Sequence, residues 1–185
     1  ASGEVVFNVN YTEAGEHTYT ITEKSGTEAG VTYSTESHTV KVTVVDNGQG
    51  QLVATVENAD AERVFTNTYK AASTSATIKA KKVLNGKKEL AEGQFKFELK
   101  EGNEVIGTAT NAADGTVTFE AIKYAAAGDH TYTISEKAGS EGGVTYDTAT
   151  HEVKVAVTDN GQGQLVAAVT GNNPTFTNTY KAASA

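Results

Sequence analysis

The sequence predicts an all-β chain built as two tandem β-sandwich repeats, the first of them truncated. Three observations carry this reading. Thr, Val, Tyr and Phe dominate the apolar and semi-polar positions and 18 glycines punctuate them, a mixture that favours strands and tight turns over helices. Apolar and polar residues alternate through short runs bounded by Gly and Asn/Asp turn signals, as half-buried strands require. Finally, the chain repeats itself at an offset of 113 residues. That period belongs to whole domains, not to a short-period solenoid.

The repeat is explicit. His17-Thr18-Tyr19-Thr20-Ile21-Thr22-Glu23-Lys24 returns as His130-Thr131-Tyr132-Thr133-Ile134-Ser135-Glu136-Lys137. Asp46-Asn47-Gly48-Gln49-Gly50 returns as Asp159-Asn160-Gly161-Gln162-Gly163. The offset falls to 111 at Phe65-Thr66-Asn67-Thr68-Tyr69 and Phe176-Thr177-Asn178-Thr179-Tyr180. The first copy, residues 1–70, begins near Val5, which matches Val117, and corresponds to the C-terminal two-thirds of a repeat. A linker is expected at 71–76, and a complete second copy at 77–181. Within that copy, alternation predicts strands near 77–84, 94–100, 104–110, 116–122, 130–136, 144–147, 151–158, 164–169 and 175–180. Many short strands at this spacing read as a β-sandwich.

Composition narrows the function. Hydrophobic residues are 38% and charged residues 21% of 185, which describes a folded chain, not a disordered one. The net charge of −8 argues against nucleic acid as a partner, since phosphates demand a basic face. No apolar run is long enough to cross a membrane as a helix. Cysteine is absent, so any covalent staple must come from other chemistry. Methionine is absent even at position 1, and neither a signal peptide nor a wall-sorting motif is visible. The expectation is an excised or processed piece of a longer protein.

Strand parity singles out three polar residues. In the last strand Phe176, Asn178 and Tyr180 share one face, and the aromatic face should be the buried one. By the same rule Glu136 joins the row of Tyr132 and Ile134, and Lys82 joins Ile78, Ala80 and Leu84. Burying any of the three unpaired is costly, so their meeting is the economical solution. Burial favours the neutral amine and the neutral acid. A neutral Lys82 amine could then attack the Asn178 carboxamide while Glu136 shuttles protons and ammonia leaves. Each residue also has a simpler reading. Glu136 could turn to solvent at a strand end, Asn178 could bond a nearby backbone group, and Lys82 could snorkel past Leu84.

Lys82-Val83-Leu84-Asn85-Gly86, Phe95-Lys96-Phe97-Glu98-Leu99, Tyr132-Thr133-Ile134-Ser135-Glu136 and Phe176-Thr177-Asn178-Thr179-Tyr180, in that order, resemble the streptococcal pilin isopeptide-linker domain. That family is FctA-like and related to the CnaB-type, immunoglobulin-like sandwiches. The resemblance implies a Gram-positive surface or pilus protein, extracellular, whose first and last strands are joined by a self-formed Lys–Asn bond. It implies Lys82 and Asn178 as the linked pair and Glu136 as the promoting acid. The first copy keeps the acid, Glu23, and the amide, Asn67, but its lysine strand is missing. The missing strand could have been lost by cleavage, lie outside this piece of the protein, or be supplied by residues 77–114 of a neighbouring chain. Back-donation within one chain is less attractive, because the connector from Lys70 to Ala76 spans at most about 23 Å.

The expected role is therefore a stalk or spacer in a pilus or wall-attached adhesin, with neighbouring repeats of the same protein as partners. An adhesive module recognising a host ligand is the alternative, but it would need an exposed patch or a long insertion. No cofactor and no catalytic turnover are expected. Asp46–Gly50 and its copy faintly resemble a calcium loop, yet no bidentate Glu follows, and a hairpin turn explains them. The four histidines are expected at exposed strand or turn positions, and no metal site is expected.

Overall fold

The structure is a computed structural model that describes residues 3–86 and 89–184. The chain divides into two compact units, Ala1–Tyr69 and Lys70–Ala185. All regular structure among the described residues is strand.

The second unit holds β6 (Thr74–Ala76), β7 (Lys79–Asn85), β8 (Lys96–Glu101), β9 (Glu104–Thr110), β10 (Thr116–Thr118), β11 (Ile122–Tyr124), β12 (Gly128–Lys137), β13 (Val144–Thr145), β14 (Thr150–Asp159), β15 (Leu165–Thr170) and β16 (Thr175–Tyr180). One sheet runs β15-β14-β12-β8-β9 and is antiparallel throughout. The facing sheet runs β10-β7-β16-β13, and β6 and β11 form a short pair. Period-two alternation puts Phe97, Leu99, Tyr132, Ile134, Val153 and Val155 inward from the first sheet and Ala80, Val117 and Phe176 inward from the second. The Phe97 and Phe176 rings meet across the layers with centroids 5.2 Å apart. This is the two-layer β-sandwich, its core made by the apolar rows of both sheets.

Within the second sheet, β7 and β16 are parallel neighbours, with Phe176 opposite Lys82 and Asn178 opposite Leu84. The first long strand of the unit and its last strand thus lie side by side.

Three expectations shift. The strand expected at 116–122 is two strands, because β10 pairs with β7 and β11 pairs with β6. The change of partner breaks the ladder at Phe119, whose N–H donates to the Ile78 carbonyl. The expected strand at 144–147 stops at Thr145 because Asp147 turns to other partners. Residues 71–76, expected as a linker, are built into the second unit: Ala72 bridges the strand start at Gln164 and Leu165, and β6 begins at Thr74.

The first unit holds β1 (Gly15–Thr22), β2 (Val31–Thr32), β3 (Ser37–Asp46), β4 (Leu52–Val56) and β5 (Thr68–Tyr69). Its main sheet is β1-β3-β4, and β2 pairs with β5. These correspond by sequence to β12, β14 and β15, and to β13 with the end of β16. Among the described residues this unit has no strand in the places of β7, β8 and β9.

The Asp46–Gly50 and Asp159–Gly163 segments are hairpin turns. Asp159 and Asn160 side-chain oxygens accept from the Gly161 and Gln162 N–H groups. Asp46 and Asn47 accept from Gly48 and Gln49 in the same way. The oxygens that suggested a calcium loop are engaged by the turn's own backbone. The histidines are half-buried, not exposed. His151 stands edge-on to Phe176, and His130 stacks on Tyr132 while its Nδ1 lies 3.0 Å from Glu101.

Candidate functional site

Lys82, Glu136 and Asn178 meet between the two sheets. β7 points Lys82 inward between Ala80 and Leu84, β12 brings Glu136 from the opposite layer, and β16 presents Asn178 beside β7. The Lys82 and Glu136 side chains are wholly buried, and Asn178 is 0% exposed. Lys82 Nζ donates to Glu136 Oε2 at 2.6 Å. Asn178 Nδ2 donates to Glu136 Oε1 at 2.7 Å. One carboxyl group therefore holds the amine on one oxygen and the carboxamide on the other.

The surroundings are dry and aromatic. The amine sits 4.7 Å from the Phe95 ring centroid and 5.9 Å from that of Phe97. Desolvation pulls the Lys82 ammonium below its ordinary range, against the opposing attraction of Glu136 and Asp147. A lowered lysine pKa makes the free amine, the nucleophilic form, more accessible. Lys82 neither snorkels nor reaches solvent. The backbone holds it in place: its N–H donates to the Gly115 carbonyl at 2.6 Å. Gly115 lies at φ 83° against the Lys82 carbonyl, a position where a Cβ has no room.

Two further residues escaped the sequence reading. The Asp147 N–H donates to Asn178 Oδ1 at 2.7 Å, aimed where negative charge would develop if the carboxamide were attacked. The Asp147 carboxylate accepts from the Thr177 and Ala149 N–H groups, at 2.7 and 2.8 Å. Burial opposes its charge, but these backbone donors win and hold its pKa below the usual value. Asp147 thus ties the last strand to the loop that supplies the donor. Asn111, buried at the end of β9, accepts from the Phe95 N–H and donates to the Ala91 and Ala112 carbonyls. It sets the Phe95 ring that walls the amine. Both residues lie where a strand gives way to a loop, beyond the reach of alternation.

The chain matches the family described as the Spy0128-like isopeptide-containing domain, FctA, over residues 3–70 and again over 78–181. The chain belongs to this family. FctA domains are structural pilin domains that contain isopeptide bonds, and the all-β sandwich of the second unit fits them. No curated protein matches the chain. Both FctA segments carry the acid and the amide, but only the second supplies the lysine. In the first, Asn67 Nδ2 donates to Glu23 Oε1 at 2.7 Å, and the Ser34 N–H donates to Asn67 Oδ1 at 2.8 Å. Ser34 stands at the position of Asp147, so the backbone donor persists without the aspartate.

Proposed function

We propose that the second unit closes a Lys82–Asn178 isopeptide bond on itself and serves as an extracellular stalk or spacer in a Gram-positive pilus or adhesin. The observation that carries this reading is the single buried carboxyl that bridges amine and carboxamide. The Lys82 ammonium passes one proton to Glu136 Oε2. The free amine adds to Asn178 Cγ, and the Asp147 N–H steadies the oxyanion. Glu136 gives a proton to Nδ2 and takes one from Nζ. The C–N bond to Nδ2 breaks and ammonia departs, leaving an amide. Fixed proximity in a water-free site supports a reaction that is sluggish in solution. The chemistry runs once per chain, so the protein is not a turnover enzyme.

The topology supports a mechanical role. β7 and β16 are parallel neighbours, so a pull on the two ends of the unit shears them past each other. A covalent tie between them carries that load in place of the ladder's hydrogen bonds. Neighbouring repeats of the same protein would continue the stalk. Intact mass under denaturing conditions tests the chemistry. The expected mass is one ammonia below the sequence value, restored to the sequence value by Lys82→Ala but not by Lys81→Ala. Lys81 points its amine at the Asp114 carbonyl instead. A wild-type mass equal to the sequence value would remove the cross-link.

A further inference from the structure

The wall beside the Lys82 amine is held by residues that the cross-linking chemistry does not use. Phe95 lines a surface cavity of about 450 Å³ together with Gln94, Lys137, Gly139, Glu141 and Tyr146. Its ring centroid also stands 4.7 Å from Lys82 Nζ, and the residue is 1% exposed. Phe95 is therefore part of the partition between the amine and that cavity. The β12–β13 loop, residues 138–143, packs against this wall. The Glu141 N–H donates to the Tyr146 hydroxyl at 3.1 Å, and the Tyr146 ring meets Phe95 edge-on with centroids 5.8 Å apart. A Cβ at Gly139 would come 2.5 Å from the same hydroxyl, so glycine lets the loop lie this close. The first unit repeats the contact: the Glu28 N–H donates to the Tyr33 hydroxyl, and Gly26 lies against that ring. Loop and tyrosine thus shape each other locally.

A side-chain bond ties the loop to the turn ahead of β8. Gln94 Nε2 donates to Glu141 Oε2 at 2.8 Å, across 47 positions of sequence. Gln94 Oε1 accepts from the Ala91 N–H at 3.0 Å, which fixes the amide with its nitrogen toward Glu141. Both side chains are half-buried, and a carboxylate acceptor strengthens the bond. We propose that Gln94 and Glu141 form a latch that holds the 138–143 loop over Phe95 and keeps water from the Lys82 amine. They are positioning residues for the cross-link and act through Phe95. This rests on the cross-linking chemistry proposed above. Water at the amine would solvate the ammonium and hold its proton, so a loose loop costs the reaction its nucleophile.

The test uses the full chain in the Asn178→Ala background, where the amine stays free. Acetylation by a water-soluble amine-reactive ester, read by peptide mass, should label exposed Lys79 and spare Lys82. Gln94→Ala should raise Lys82 labelling about tenfold, the scale of one lost hydrogen bond, with Lys79 unchanged. Gly139→Ala displaces Tyr146 from the other side of the loop and should act in the same direction. Gln94→Glu sets two carboxylates face to face and should also expose the amine. Gln94→Glu/Glu141→Gln rebuilds the bond with its ends exchanged and should restore protection. With Asn178 in place, Gln94→Ala should slow ammonia loss roughly tenfold in chains sampled during cell-free synthesis. Lys82 labelling unmoved by Gln94→Ala overturns the latch, and so does labelling that stays high in the exchanged pair. An unchanged rate of ammonia loss overturns the positioning role. A wild-type chain that keeps its ammonia counts against the cross-link instead, and Lys82 labelling still decides the latch.

Discussion

The two units share a sequence and differ in what covers it. Tyr132, Ile134 and Phe176 are fully buried in the second unit, while Tyr19, Ile21 and Phe65 are only half-buried in the first. Asn178 is sealed, and Asn67 is exposed. Yet the acid–amide hydrogen bond and the backbone donor to the amide are the same in both. The strands from β12 onward therefore set up the acid and the amide by themselves. The lysine strand and its hairpin add the nucleophile and exclude water. Geometry comes from one part of the repeat, and the low dielectric that makes the chemistry possible comes from the other.

The comparison breaks most visibly if the nucleophile is removed from the complete unit. Lys82→Ala or Asn178→Ala should abolish the ammonia loss. Releasing a closed loop of nearly 100 residues should cost roughly 4–5 kcal/mol, or a Tm drop of about 20 °C for the second unit. Calorimetry measures it. A drop of only a degree or two would mean the tie contributes little. Glu136→Gln should give the unlinked mass as well, with both reactants still present.

A smaller effect is expected at Asp147. Asp147→Ala removes two charge-assisted bonds to the Thr177 and Ala149 N–H groups, worth about 1–3 kcal/mol together. It should also slow ammonia loss in freshly folded chains, because the N–H aimed at Asn178 loses its anchor. Time-resolved mass spectra of newly refolded protein separate the two effects. Unchanged kinetics would reduce Asp147 to a strand clamp.

Smaller still is a pH effect. In Asn178→Ala the amine stays free, and burial holds its folded pKa below the ordinary lysine value of 10.5. The unfolded chain then binds more protons between the folded value and 10.5, so stability rises with pH across that window. Below the folded pKa the penalty is fully present. Urea unfolding from neutral pH to the normal lysine range should show the slope, and Lys82→Met/Asn178→Ala should lack it. The smallest effect is expected in the first unit. Asn67→Ala should leave the ammonia count and the second unit's Tm unchanged, as calorimetry and mass can show.

Alternation made much of this legible. Parity placed Lys82, Glu136 and Asn178 on inward rows, and the structure buries all three side chains. The internal repeat likewise placed Glu23 (offset 113) and Asn67 (offset 111) before any coordinates. What parity could not show lies where strands end. Asp147 looked like the continuation of a strand, because nothing in Tyr146-Asp147-Thr148 marks the turn that aims its N–H at Asn178. Asn111 falls just past the strand expected at 104–110, and its bonds go to backbone groups of Phe95, Ala91 and Ala112 that alternation does not bring together. The splitting of 116–122 depends on which strand each half meets, a tertiary fact absent from the local pattern.

The central claim is tested most directly by digesting the denatured chain and sequencing its branched fragments by tandem mass spectrometry. The account predicts a fragment in which peptides from β7 and β16 are joined through the Lys82 side chain to the Asn178 side chain, short of one ammonia. Recovery of both peptides unlinked, each at its sequence mass, would contradict it.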